Sequence, residues 1–432
     1  MTLCAEYTIP GMHVRDHELR VPLDWARHDG DEITVFAREL VAPERRRENL
    51  PYLLYLEGGP GGKAPRPVSA DGWIGRALEK FRIVLLDQRG TGRSSRIDSA
   101  LISAFESGEK GADYLTHFRA DSIVRDAEAF RVQVFGGTKW LTLGQSYGGF
   151  ITLAYLSCAP EALAACLVTG GLPSITPDAR EVYRRTYPRV ELKNRVFHRR
   201  YPHDVDALAR IADRIAVGDV RLPDGDLLTV RRLQSLGIDF GMRPGFERIH
   251  WLIDEAFRQD SDELSDAFLQ QVQQLSSFAD NPLFAVMQES IYGSGPGATG
   301  WAAQAEREQH PEFDAAARPL MLTGEMIYPW MFSEIAGLQA FEPAVNVLAG
   351  REEWSELYDV ERLATNDVPV VAAVYFDDMY VDSGLQLETA QRVGNLYPWV
   401  TNEYEHDGLG AERVFQHLTS TLADNGGVKT DD

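Results

Sequence analysis

Cysteine is scarce. The 432 residues contain three, Cys4, Cys158 and Cys166, with no C-x-x-C and no paired spacing. That excludes a disulfide framework and a cysteine-based zinc module, and it fits reduced, mostly buried thiols. Cys158 and Cys166 lie among apolar neighbours, where packing is the expected role. Long apolar runs are missing too: nothing approaches the roughly 18 consecutive apolar residues of a membrane-spanning helix. Positive charge is in deficit, with 43 Lys and Arg against 65 Asp and Glu and a formal net charge of −22. This argues against nonspecific nucleic-acid binding, which needs a basic footprint. It leaves carboxylates available for a cationic substrate group, although most must be solvated surface. The segment from Met1 to Tyr7 has neither the basic nor the apolar part of a secretory leader, so a cytoplasmic location is expected. No H-E-x-x-H or comparable ligand cluster occurs, and neither metal nor organic cofactor is expected.

What is present alternates between two textures. Residues 7–42 carry short β-rich runs, Tyr7–Pro10, His17–Leu23 and Glu32–Ala37, the last two separated by the turn Arg27–Asp31, as in an antiparallel meander. The near-continuous apolar runs Pro51–Leu56 and Phe81–Leu86 read as central strands covered on both faces. A helical pattern spans Asp121–Phe135, with Asp121 placed to cap it. Ala165–Gly170 reads as another buried strand. From about 174 to 340 strand-like runs give way to amphipathic helical stretches such as Asp206–Ala212 and Glu263–Leu269, interrupted by the glycine-rich loop Gly293–Gly300, a lid element or a plain linker. Strand character resumes at Val368–Phe376 and Val400–Tyr404, a helix follows from about 410 to 422, and the tail from about 423 reads as frayed. The expected organisation is one α/β body, residues 1–173 and 341–432, with a helical insertion, 174–340, over the C-terminal edge of its sheet.

The chemistry centres on Gly144-Gln145-Ser146-Tyr147-Gly148. The strand-like Lys139–Leu143 precedes it and the helical Phe150–Leu156 follows, so Ser146 sits on a sharp turn of the nucleophile-elbow type. A bare G-x-S-x-G would arise by composition on the order of 0.15 times per chain, so the flanking strand and helix carry the reading. A serine needs a base oriented by a third group, and in such sheets an acid and then a histidine follow it along the chain. Of ten histidines, His406 is best placed, in a polar turn after a late strand; His417 lies inside the terminal helix. The acid belongs at the end of Val374–Phe376, where Asp378 is favoured over Asp377 and Asp382. Backbone N–H groups for a developing oxyanion are expected from Tyr147 and from Gly59 in the loop Glu57–Gly62.

Gly58-Gly59-Pro60-Gly61, Asp87-Gln88-Arg89-Gly90-Thr91-Gly92-Arg93-Ser94 and Gly144–Gly149, in that order, resemble the proline iminopeptidase (prolyl aminopeptidase) family, in particular its longer bacterial branch. The resemblance implies an α/β-hydrolase fold, with a mostly parallel central sheet and a helical cap over the C-terminal strand edge. It implies a serine exopeptidase that releases an N-terminal proline through an acyl-enzyme, with Asp87 and Arg89 bracing the site. Shorter members carry a histidine before G-G-P-G; here it is Glu57, which leaves the backbone role intact and removes that side chain. Family members hold the substrate's free amine with cap carboxylates, for which Glu289 and Glu325 are the candidates. Tyr292, Tyr328, Trp330 and Phe332 stand beside them to hold a pyrrolidine ring. The implied partner is a peptide with a free N-terminal proline; nucleic acid and membrane are not expected, and oligomeric state stays open. A broader aminopeptidase, an esterase or lactonase, or an inactive binding scaffold are the alternatives.

Overall fold

Nine strands of this chain join in one sheet, in a computed structural model that describes residues 2–27 and 29–427. The first three, β1 (Thr2–Ile9), β2 (Met12–Pro22) and β3 (Glu32–Val41), form the antiparallel meander. After them come β4 (Tyr52–Leu56), β5 (Arg82–Asp87), β6 (Trp140–Gln145) and β7 (Leu163–Thr169). The two-residue strands β8 (Gly295–Pro296) and β9 (Glu353–Trp354) pair separately, and β10 (Val370–Tyr375) and β11 (Leu396–Thr401) complete the large sheet. Its order is β1-β2-β3-β5-β4-β6-β7-β10-β11, parallel from β5 through β11.

The central strands alternate between two cores. Leu54, Leu56, Val84, Leu86, Ala372 and Val374 face one side; Leu53, Tyr55, Ile83, Leu85, Ala373 and Tyr375 face the other. Period-two alternation with both faces buried explains why these strands read as unbroken apolar runs. The helix Tyr147–Cys158 is buried from Tyr147 through Leu156, apolar all round as a helix inside a core must be. The chain leaves the large sheet at Thr169 and re-enters it at Val370. Between them lie the 22-residue helix Ala179–Arg200 and the helices Pro202–Ala216, Gly245–Asp254 and Asp266–Ser276, among shorter ones.

Several local expectations shift. The helix expected from Asp121 begins at Ala120 with Arg119 at its N-cap; Asp121 lies in the first turn, where its Oδ2 accepts from Ser355 Oγ at 2.9 Å. The loop Gly293–Gly300 is neither a free linker nor an unattached lid. Gly297 N–H donates to Glu352 O and Gly300 N–H to Ala349 O, alongside the β8–β9 pairing. The last strand is Leu396–Thr401, four residues before the expected 400–404, because Val370 to Tyr375 pair in register with Leu396 to Thr401. Of the cysteines only Cys166 is buried. Cys4 lies on the exposed edge strand, and Cys158 ends its helix where the chain leaves the core. Ala423 and Asp424 close the final helix, Glu412–Asp424; residues 428–432 of the expected frayed tail lie outside the described residues, as does His28 of the meander.

Candidate active site

Ser146 stands between β6 and the buried helix at φ +53°, ψ −122°, a backbone region that a side-chain-bearing residue adopts only under strain. Its neighbours explain how. A Cβ on Gly148 would lie 1.9 Å from Leu56 O, and one on Gly144 2.4 Å from Gly148 O, so only glycine lets helix and strands approach this closely. Ser146 N–H donates to Thr169 O at the end of β7 (3.0 Å), and Ser146 O accepts from Gly149 N–H (2.8 Å).

The expected base and acid, His406 and Asp378, lie on the loops after β11 and β10. His406 Nδ1 is 2.7 Å from Asp378 Oδ2, both groups buried. Asp378 Oδ1 accepts from the N–H groups of Tyr380 (2.8 Å) and Val381 (3.1 Å), which fix the carboxyl in place. Burial works against the imidazolium of His406, but the charge and hydrogen bond of Asp378 outweigh it, and the histidine titrates above its ordinary value. The Tyr380 ring meets the imidazole edge-on at 4.7 Å, and His406 N–H donates to Gly241 O at 2.9 Å. The other two aspartates are engaged otherwise. Asp382 caps the helix Ser383–Ala390 and pairs with Arg189, while Asp377 is only partly buried.

Two consecutive glycines, unflagged by any motif, join these halves. A Cβ on Gly170 would lie 3.3 Å from His406 Nδ1, and one on Gly171 2.2 Å from Ser146 O. The loop after β4 closes the third side: a Cβ on Gly58 would sit 3.0 Å from Ser146 Cβ and 3.6 Å from its Oγ. The next residue, Gly59, has φ +124°, open to glycine alone. Glu57 turns back on its own loop, accepting from Gly58 N–H (2.9 Å) and the Tyr55 hydroxyl (3.2 Å). The Asp87–Ser94 loop is braced from beneath: Asp87 binds Arg66 and the N–H groups of Ala64 and Arg93, and Arg89 makes a fully buried pair with Asp126.

The two candidate amine-binding carboxylates differ. Glu289 accepts from Ala302 N–H (3.0 Å) and Ala303 N–H (2.9 Å), the opening of the helix Ala302–Arg307. Burial pushes its carboxyl up to about 7 against those bonds. Glu325 is pushed up to about 8, mainly by burial and further by Asp378, while His406 and a hydrogen bond from Gln288 work the other way. It therefore lies in electrostatic reach of the Asp378–His406 pair. Tyr292 feels Glu325, Glu289 and Asp378. Tyr328, Trp330 and Phe332 stand apart. Tyr328 shares its hydroxyl with Tyr187 at 2.9 Å, Trp330 stacks on Tyr328 with Arg231 over its face, and Phe332 packs on Trp301. Two unforeseen groups lie among these residues: the Tyr183 hydroxyl and Gln288 Oε1 are buried without a hydrogen-bond partner. Tyr183 lies near both glutamates. Only its place beside Glu289 could have flagged Gln288, and nothing local marks Tyr183.

Among the described residues one group has metal-ligand spacing, His203, Asp204 and His250. It lies on the helices Pro202–Ala216 and Gly245–Asp254, and both imidazoles already engage Asp204, at 3.3 and 2.9 Å. No helix among the described residues is long and apolar enough to cross a membrane.

A family model for the alpha/beta hydrolase fold matches residues 51–197. A proline iminopeptidase of Aeromonas sobria is 46% identical over 422 residues, spanning 97% of this chain and 98% of its own. One from Aspergillus aculeatus is 34% identical over 407 residues, 90% of this chain and 88% of its own. The crystal structure of a proline iminopeptidase from Mycobacterium smegmatis, 13% identical, aligns over 95% of this chain and 98% of that one with a TM-score of 0.45. With 46% identity sustained along nearly the whole of both sequences, this chain belongs to the proline iminopeptidase family of α/β-hydrolases.

Proposed function

We propose that the protein releases N-terminal proline from peptides, with Ser146 as nucleophile, His406 as base and acid, and Asp378 as the group that holds the imidazole. The observation that carries the substrate reading is the Glu325 carboxyl, partly buried and in electrostatic reach of the Asp378–His406 pair. Acyl transfer needs no further acid there. An N-terminal proline brings a secondary ammonium into apolar surroundings, where a charge is costly unless paired. In this reading Glu325 takes the ammonium directly. Glu289 supports it from the start of the helix Ala302–Arg307, and the Tyr183 hydroxyl and Gln288 Oε1 supply further polar contacts. Tyr292 faces the pyrrolidine ring, while Tyr328, Trp330 and Phe332, engaged with Tyr187, Arg231 and Trp301, support the surrounding segment rather than the ring. Residues 174–340 act as the cap over a body of 1–173 and 341–432, and a cytoplasmic site of action goes with the scarcity of cysteine.

Ser146 Oγ attacks the prolyl carbonyl as His406 Nε2 takes its proton; Asp378, fixed on Nδ1–H, stabilises the imidazolium. The N–H groups of Gly59 and Tyr147 receive the oxyanion. His406 returns the proton to the departing amine of the second residue, leaving a prolyl ester on Ser146. Water, deprotonated by the same imidazole, hydrolyses that ester and frees proline. The test is a panel of aminoacyl arylamides with fluorophosphonate labelling alongside. Prolyl arylamide should be cleaved by the wild type and not by Ser146→Ala. N-acetylprolyl arylamide should be refused; equal cleavage of it would remove the amine-recognition role. Labelling of Ser146 without release of proline would turn the assignment to an esterase.

A further inference from the structure

One face of the helix Ala179–Arg200 carries three cations at four-residue spacing, Arg185, Arg189 and Lys193, and such residues share a helix face. All three reach the loops after β10 and β11. Arg189 donates to Phe376 O (3.0 Å), to Ser383 Oγ (2.9 Å) and to Asp382 Oδ2 (2.6 Å), so it holds both ends of the turn containing Asp378. Lys193 Nζ lies 2.6 and 2.5 Å from the two oxygens of Glu405, the residue before His406. Arg185 adds Glu388 at 2.9 Å. None of these contacts is to Ser146, Asp378 or His406.

We propose that Lys193, with Arg189, is a positioning residue for acyl transfer: the cap helix sets the separation of the two loops across which His406 and Asp378 share their hydrogen bond. The inference rests on Asp378 and His406 being the acid–base pair. That bond joins residues 28 positions apart in sequence, on the loops after two different strands. The Lys193–Glu405 pair is mostly buried, at 11% and 20% side-chain exposure, so removing the lysine strands a carboxylate that burial already disfavours. The relief available to Glu405 is to swing toward water, taking the adjacent His406 with it. A displacement of about 1 Å at a reacting group is enough to lower a rate by orders of magnitude. The other contacts to this loop from residues 174–340, His406 N–H to Gly241 O and Arg243 N–H to the Asp407 carboxylate, do not reach the Glu405 side chain.

The test compares Lys193→Met, Lys193→Arg and Glu405→Gln in the full chain by two readouts. One is the rate constant for fluorophosphonate labelling of Ser146, which needs the serine and its base but no proline recognition. The other is the kcat and KM of prolyl arylamide hydrolysis. Lys193→Met should lower labelling and kcat together by about tenfold with KM nearly unchanged, and Lys193→Arg should recover most of the loss. Wild-type labelling by Lys193→Met, a loss confined to KM, or an arginine no better than methionine would overturn the proposal. If Lys193→Met does not fold, Glu405→Gln loosens the same tie without a carboxylate to expel and should lower labelling and kcat together by a smaller factor; wild-type values of both would overturn the proposal. Labelling without release of proline would defeat the substrate reading and leave the labelling comparison decisive for Lys193. A wild type that does not label at all would defeat both.

Discussion

At the scale of single residues, the site works by giving similar groups different environments. Asp378 accepts from two backbone N–H groups and faces an imidazole, whereas the partly buried Glu325 is pushed up to about 8, mainly by desolvation. Two consequences follow for pH. Because Asp378 holds His406 above its ordinary 6.5, the acidic limb of kcat/KM should lie above that value in the wild type. In Asp378→Asn the limb should move down while kcat falls by about 10³–10⁴, read from a pH–rate profile. Glu325 titrates higher folded than its ordinary 4.5, so its favourable contribution is complete below 4.5 and is lost as pH rises through about 8. Glu325→Gln should therefore melt higher than the wild type at about pH 9 and near it at about pH 4. Equal melting temperatures at both would mean the carboxyl is not desolvated. The same group predicts proton release when a prolyl ligand binds at neutral pH, visible as a calorimetric heat that depends on the buffer.

At the scale of elements, short-range packing rather than propensity decides where things end. The turn at Ser146 exists because Gly144 and Gly148 let strand and helix backbones touch, and because Gly171 makes room for the serine carbonyl. Glu289 has a structural duty besides any substrate contact: its carboxylate receives the opening N–H groups of the helix Ala302–Arg307, a site where no residue of the helix's own N-cap serves. Glu289→Ala should cost about 1–2 kcal/mol in denaturant unfolding as well as weakening amine recognition. A variant with full stability would show that water replaces the carboxylate at that helix start. Glu325→Ala, which removes no such cap, should separate the two effects.

At the scale of the whole molecule, polar contacts across long sequence distances hold the layers in place. Arg89, fully buried, binds Asp126 through two nitrogens and also donates to the carbonyls of Pro22, Leu23 and His117. It thereby joins the N-terminal meander to the helix behind the sheet. Arg89→Met should destabilise the chain by about 3–5 kcal/mol, because Asp126 is then a buried charge without a counterion. Asp126→Asn in the same background should recover part of the loss, and its failure to do so in thermal melts would place the cost in the carbonyl contacts instead. Much of this architecture was legible in the sequence. The alternating buried strands, the elbow with its flanking glycines and the glycine loop after β4 follow from periodicity and local steric demand, which act between near neighbours in the chain. The end of the last strand was misplaced, since Leu396–Thr401 is amphipathic at an edge and only its register with β10 marks it. The partners of the late polar residues were out of reach. Asp377, Asp378 and Asp382 differ little in sequence, and the folding of one turn decides which of them meets His406. Lys193 and Glu405 are 212 positions apart. Composition and periodicity thus determined the fold and the candidate nucleophile, whereas side-chain partners across distant loops exist only once tertiary packing has brought the loops together and removed the water between them.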